Sequence, residues 1–322
     1  MSFAEQKVKL SRIPSFRAEH FPYSGPHPWL DRQDAFQQID NKRVAQEISE
    51  EQADVCRRWS SDGYVILRNL FEPEVLDGVW EAYEKAVGAG RLRLPVEPAA
   101  VDDPHPGRAL NPHKRVGAFC SILKHPRLLG AIRLLTEREP KALQTITSHK
   151  GSQQPVHSDS IHMTTYPLGY LTAAWIAFED IHPNSGPLVY YPGSHRLPYV
   201  FSKDAGISES DYKQAGYAAY QEKYEPFIRG LIDEHQLEPH YFHAKKGDVL
   251  IWHANLLHGG SARHDLSLSR RALVCHFFVK GAFVYHDLSA SRSRQQYMST
   301  CLLHDEAGRV RILDARRFFQ RP

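Results

Sequence analysis

His157, Ser158 and Asp159 place an imidazole and a carboxylate two positions apart, and a second imidazole follows far downstream at His258, in the run Gly247 to Gly259. Two imidazoles and one carboxylate form the ligand set that grips a non-haem Fe(II) from one side and leaves other coordination positions open. On a strand, residues i and i+2 point to the same face, so an H-x-D pair at a strand edge aims both groups at one point. A neighbouring strand must then supply the third ligand. His253 and His258 both compete for that role, and on a continuous strand they would face opposite ways. His258 is preferred, because Gly259 and Gly260 let the backbone approach a metal and turn. His253 prolongs the apolar stretch Val249 to Trp252 and reads as a core or supporting histidine; His162, His240 and His243 read as ordinary histidines. Arg270 heads the stretch Ala272 to Phe278 and could hold a carboxylate through paired N–H groups, with Arg271 as its substitute if the register slips by one.

The elements that must position these groups are legible in outline. Residues 1 to about 40 carry Pro14, Pro22, Pro26 and Pro28 among aromatics without helical period, and read as an N-terminal arm. A helix is expected to start near Asp40 and Asn41, with Val44, Ile48, Val55 and Trp59 on one face. Gly63 to Leu67 reads as a short buried strand. Glu72 and Pro73 open another helix, which Gly88 and Gly90 end. Residues 91–112 form a loop, and 125–136 a short amphipathic helix. From about 142 the texture turns to strands: 142–148, 171–178, 188–191, 248–252 and 272–279, bounded by Gly, Pro, Asn and Asp. Residues 208–237 interrupt them with a helical pattern. Helices first and strands later predict an α+β chain, mainly β, with a double-stranded β-helix (jelly-roll, cupin-like) core under an N-terminal helical layer. The expected organisation is an arm over 1–40 and one catalytic domain over 41–290. Within that domain a helical layer spans about 41–140, a jelly-roll core about 141–285 and a helical lid insertion about 200–240. An extension over 291–322 completes the chain.

Composition narrows the class. Apolar residues make up 42% and charged residues 24% of the 322 positions, enough for a sizeable core. A formal net charge of +3 gives no argument for nucleic acid or an anionic membrane as partner. No apolar run approaches a membrane span, and the N-terminus lacks the apolar stretch of a signal peptide. Cys56, Cys120, Cys275 and Cys301 lie far apart and make no CxxC pair, which suggests reduced thiols and a cytoplasmic location.

These motifs resemble the phytanoyl-CoA dioxygenase family of Fe(II)/2-oxoglutarate oxygenases. The likeness runs from Ser60 to Phe71, through His157-Ser158-Asp159, to Asn184 to His195, whose Gly186-Pro187 turn and Pro192-Gly193-Ser194-His195 are its strongest part. It closes with Gly247 to Gly259 and Arg270 to Leu273, so it covers about residues 45 to 285. The resemblance implies that His157, Asp159 and His258 ligate Fe(II) and serve as the catalytic centre. It implies that Arg270 pairs with the far carboxylate of 2-oxoglutarate, that Trp175 lines the co-substrate pocket, and, more distantly, that Gln144 lies beside it. It further implies consumption of O2 and hydroxylation of an unactivated C–H bond of a small organic substrate, with release of succinate and CO2. Relatives often carry serine at the position of Gly260; whether Ser261 replaces that hydroxyl stays open. Asp159 favours hydroxylation over halogenation. Desaturation, epimerisation and ring formation start from the same oxidant. A metal-dependent hydrolase and a non-catalytic binding module are the readings of other classes. Substrate-binding residues and oligomeric state are not assigned.

Overall fold

The computed structural model describes residues 27–92, 94, 107–285 and two short strands at 303–304 and 310–311. The expectations for the arm up to residue 26, for the centre of the 91–112 loop and for most of 291–322 lie outside the described residues.

The N-terminal half is helical: α1 (Ala35–Val44), α2 (Glu50–Asp62), α3 (Pro73–Gly88), α4 (Phe119–Leu123) and α5 (Pro126–Thr136). The helix expected from Asp40 through Trp59 is two helices. Gln46 adopts a left-handed φ of 59° and ends the first. Ser49 starts the second with a capping box: its hydroxyl accepts from the Gln52 N–H, and the Gln52 side chain accepts from the Ser49 N–H. The break leaves Val44 at 73% exposure, off the face to which its spacing assigned it. Helix α1 also begins before Asp40, and Trp29 and Leu30 just ahead of it are buried, so the chain is already packed within the stretch read as an arm.

The strands are β1 (Tyr64–Leu67), β2 (Ala109–Leu110), β3 (Pro140–Ser148), β4 (Thr164–Tyr166), β5 (Leu171–Ala177), β6 (Leu188–Tyr190), β7 (His240–Phe242), β8 (Val249–His253), β9 (His258–Gly260), β10 (Ala272–Val279) and β11 (Phe283–Tyr285). A six-stranded sheet has the order β1-β8-β5-β10-β3-β2, a three-stranded sheet the order β7-β6-β9, and β4 pairs β11. All these pairings are antiparallel. The strands read from the sequence are present; β2, β4, β7, β9 and β11, each two or three residues long, are too short to leave a period.

Both faces of the large sheet are covered. Ala174, Ile176, Val249, Ile251, Leu273, Cys275 and Phe277 pack on the helices through Trp59, Leu76 and Trp80. The alternate residues Ala173, Trp175, Leu250 and Trp252 face the small sheet through Leu188, Tyr190 and Phe242. This two-residue alternation gives every central strand one structural face and one face turned toward the space between the sheets. The 208–237 segment forms α6 (Glu209–Ala215), a π-helical turn (Tyr220–Tyr224) and α7 (Glu225–Glu234). Its buried side chains Tyr220, Tyr224 and Ile228 cluster with Ile161 and Leu257.

Candidate metal centre

His157 and His258 meet through a backbone bridge. The N–H of each donates to the carbonyl of the other at 2.9 Å. Asp159 does not continue a strand; it opens a 3-10 turn (Asp159–Ile161). The expected i, i+2 geometry of one strand edge is therefore replaced by a bridge residue followed by a turn, which still brings the carboxylate back over the imidazole. Gly259 and Gly260 permit the bridge. A Cβ on Gly259 would stand 2.8 Å from the Gln154 carbonyl oxygen, and one on Gly260 would stand 2.7 Å from the Gln153 nitrogen and 2.8 Å from Ser152 Oγ. These glycines thus serve the approach of β9 to residues 152–156 and not a sharp turn.

Second hydrogen bonds set the tautomer of both imidazoles. Nδ1 of His157 lies 2.8 Å from the Pro155 carbonyl and Nδ1 of His258 2.9 Å from the Leu256 carbonyl. A carbonyl can only accept, so Nδ1 carries the proton and the Nε2 lone pair is left to ligate a cation. Burial, with the neighbouring His258 and His162, pushes the His157 imidazole well below its ordinary range, and burial also lowers His258; both are neutral, as a ligand must be. Burial alone would raise the Asp159 carboxyl, but His276 beside it outweighs that and holds the group far below the usual carboxylate range. Oδ2 of Asp159 accepts the Trp252 indole N–H at 2.8 Å, and Oδ1 lies 3.6 Å from His258 Nε2. One ligand atom from each of His157, Asp159 and His258 falls within 4.8 Å of the others, and all three residues are buried. Two neutral imidazoles and an ionised carboxylate suit a divalent cation, with the side toward the cleft left open.

His253 does not join them. Its Nδ1 accepts the Asn255 N–H and its Nε2 faces Asp31 at 3.3 Å, so it ties the base of the helical layer to β8. His240 and His243 are exposed. His162, read as ordinary, stands in the cleft wall with its ring 5.3 Å from that of His157. Ser158, between two of the gathered residues, is held from the helical insertion: the Tyr224 hydroxyl accepts its N–H at 3.1 Å.

The three side chains open onto a cleft of about 410 Å³. Arg270 lies in its wall, 4% exposed, with Nη1 donating to the Gly186 carbonyl at 2.6 Å, Nη2 3.5 Å from Ser152 Oγ and the Trp175 ring 5.8 Å away. Its Nε is buried with no partner. Arg271 instead turns to Glu179 and over Trp80, so the register does not slip. Gln144, on β3 opposite His276 of β10, also lines the cleft. The Ser261 hydroxyl donates to the Pro187 carbonyl at 2.8 Å. The hydroxyl beside Arg270 is that of Ser152, which occupies the space a side chain on residue 260 would enter. Gln154, Trp252 and His276 also border the centre and were not legible as site residues. The Gln154 amide nitrogen lies 3.1 Å from His157 Nε2, and its carbonyl accepts from Arg108. The Gly186 that receives Arg270 is the same turn glycine that the sequence marks in Gly186-Pro187.

The phytanoyl-CoA dioxygenase (PhyH) family model matches residues 59–272. The chain belongs to this family. It is 27% identical over 168 residues to the peroxisomal phytanoyl-CoA dioxygenase of Bos taurus, a match over 49% of this chain and 44% of that protein. The chain thus spans less than half the length of that relative. It is 28% identical over 252 residues to the ectoine dioxygenase of Halomonas elongata, over 73% of this chain and 71% of that one. Among solved structures, apo EctD from S. alaskensis superposes with a TM-score of 0.59 at 18% identity, over 82% of this chain and 86% of that one. That protein has also been solved with bound Fe and with 2-oxoglutarate and 5-hydroxyectoine. The likeness supports a common fold of antiparallel sheets and helices. No described helix is long and apolar enough to cross a membrane.

Proposed function

We propose that this PhyH-family chain is a Fe(II)- and 2-oxoglutarate-dependent dioxygenase that hydroxylates an unactivated C–H bond of a small organic substrate, consuming O2 and releasing succinate and CO2. One observation carries the reading: the His157, Asp159 and His258 ligand atoms gather in the wall of a cleft that the buried guanidinium of Arg270 also lines. When bound, Fe(II) and 2-oxoglutarate supply, with O2, the oxidant that removes the hydrogen. His157, Asp159 and His258 hold the metal; Arg270 offers its fork to the far carboxylate; Trp175 and Gln144 wall the co-substrate. A hydrolase would leave Arg270 without a task. The identity of the substrate and its placement over the centre decide between hydroxylation and desaturation, epimerisation or ring closure.

The same reading takes the two facing sheets as the halves of a jelly-roll, double-stranded β-helix core, residues 41–290 as one catalytic domain, and the insertion at about 200–240 as its lid. The lid would exclude water, with Tyr217 bordering the cleft and Tyr224 steadying Ser158. The buried free thiols Cys56 and Cys275 suit a reducing compartment such as the cytoplasm.

The test is anaerobic addition of Fe(II) and then 2-oxoglutarate to the metal-free protein. The expected result is a visible metal-to-ligand charge-transfer band, absent in Asp159→Ala. Bound iron without that band in the wild-type protein would refute the assignment.

A further inference from the structure

His276 is a buried imidazole for which the proposed ligand set has no use. Arg270, two residues ahead of β10, and Val274 and His276 on it fall on the side toward the cleft, and all three line it, while Leu273, Cys275 and Phe277 turn to the helical core. His276 is 4% exposed; its Nδ1 has no hydrogen-bond partner, and the polar group that faces its Nε2 is the Asp159 carboxylate. Such a group loses its hydration in the fold and gains nothing from its own walls, Ala173 and Gln144, beside which it stands in register. An apolar side chain would fill that place at less cost, so the imidazole calls for a task.

The nearest task is Asp159. Nε2 of His276 lies 3.3 Å from its Oδ1, while Oδ2 is already taken by the Trp252 N–H at 2.8 Å. His276 is not a fourth ligand, since it stands outside the close group formed by His157, Asp159 and His258. Facing a carboxylate oxygen, its Nε2 must carry the proton. Oδ1 has two lone pairs, one for that N–H and one for a cation. Carboxylates that ligate metals are commonly fixed by hydrogen bonds of this kind. We propose that His276 is a positioning residue: its Nε2–H donates to Oδ1 of Asp159 and, with Trp252 on Oδ2, holds the carboxylate so that it binds the cation through Oδ1 alone. This rests on the metal-centre reading above.

The experiment titrates metal-free protein with Co(II), followed by calorimetry and by the visible d–d absorption. His276→Phe keeps a ring and removes the donor. His276→Gln keeps an N–H that can reach the same oxygen. The expected result is Co(II) binding about 10–100-fold weaker in H276F, the range found for supporting shells of other metal sites, with a changed d–d spectrum. H276Q should retain most of the affinity. Should H276F fail to fold, His276→Asn, too short to reach Asp159, takes its place with the same expected loss. Wild-type affinity in H276F, or a loss in H276Q as large as in H276F, overturns the proposal. Wild-type protein that binds no Co(II) overturns the metal centre itself.

Discussion

Arg270→Ala is the substitution whose size the structure sets most directly. The guanidinium is enclosed, and burial, reinforced by the charges of Arg108 and Arg263, lowers it to about 10, so it is still charged at neutral pH. Nη1 is used by Gly186 and Nη2 is loosely met by Ser152, while Nε is enclosed and unsatisfied. A carboxylate arriving from the cleft would satisfy that donor and offset the buried charge. Removing one partner of such a desolvated, hydrogen-bonded charge pair costs about 2–5 kcal/mol. At 1.4 kcal/mol per decade this is a rise of about thirtyfold to several-thousandfold in the dissociation constant of 2-oxoglutarate. The assay is an anaerobic 2-oxoglutarate titration of the Fe(II)-loaded protein, read from the charge-transfer band, with Co(II) affinity as control. Arg270 touches none of the three ligands, so Co(II) affinity should hold. Arg270→Lys keeps the charge and loses the fork, and should fall between the wild type and R270A. Arg270→Met should melt no lower than the wild type without ligand, since it removes a buried charge that only the co-substrate would neutralise. Unchanged 2-oxoglutarate affinity in R270A would refute the assignment of this arginine, and a parallel loss of Co(II) binding would show that its effect is structural.

Two further outcomes follow from the same geometry. Gly260→Ser, which restores the serine common in relatives, should destabilise this chain by about 1–3 kcal/mol in urea unfolding, because its Cβ meets the Gln153 nitrogen and the Ser152 hydroxyl; a neutral or stabilising result would show that Ser152 does not hold that space. Acidification should destabilise the metal-free protein. Burial lowers His157 and His258 below the ordinary value of 6.5, His162 to about 4 and His195 to about 3. Between those values and 6.5 the unfolded chain binds more protons than the fold, so stability present above pH 6.5 is lost as pH falls, by at most about 1.4 kcal/mol per histidine per pH unit. A melting temperature that stays flat from pH 7 to pH 5 would contradict the burial of these rings.

The gathering of His157, Asp159 and His258 was legible because residue type and the neighbouring glycines carry it, even though the strand-edge geometry assumed for the pair is a bridge and a turn. The long strands were legible for a similar reason: β5, β8 and β10 are apolar runs, and β3 a stretch rich in Thr and Ile, bounded by breakers. What surrounds the centre was not. Trp252 and His276 lie inside such runs, and because the large sheet is buried on both faces, no alternation of apolar and polar residues separates the face toward the helices from the face toward the cleft. Parity could have done so. Once Arg270 is placed in the cleft, Val274 and His276 share its side of β10, and the register with β3 brings Gln144 opposite His276. Ser152 and Gln154 had no such signal. They belong to an irregular segment whose position depends on the His157–His258 bridge and on the two glycines that admit it, so their part in the site is a property of long-range pairing that local pattern does not encode. For the same reason the hydroxyl beside Arg270 could not be traced by its offset from His258: Gly260 gives up the side chain, and Ser152, more than a hundred positions earlier, fills the space.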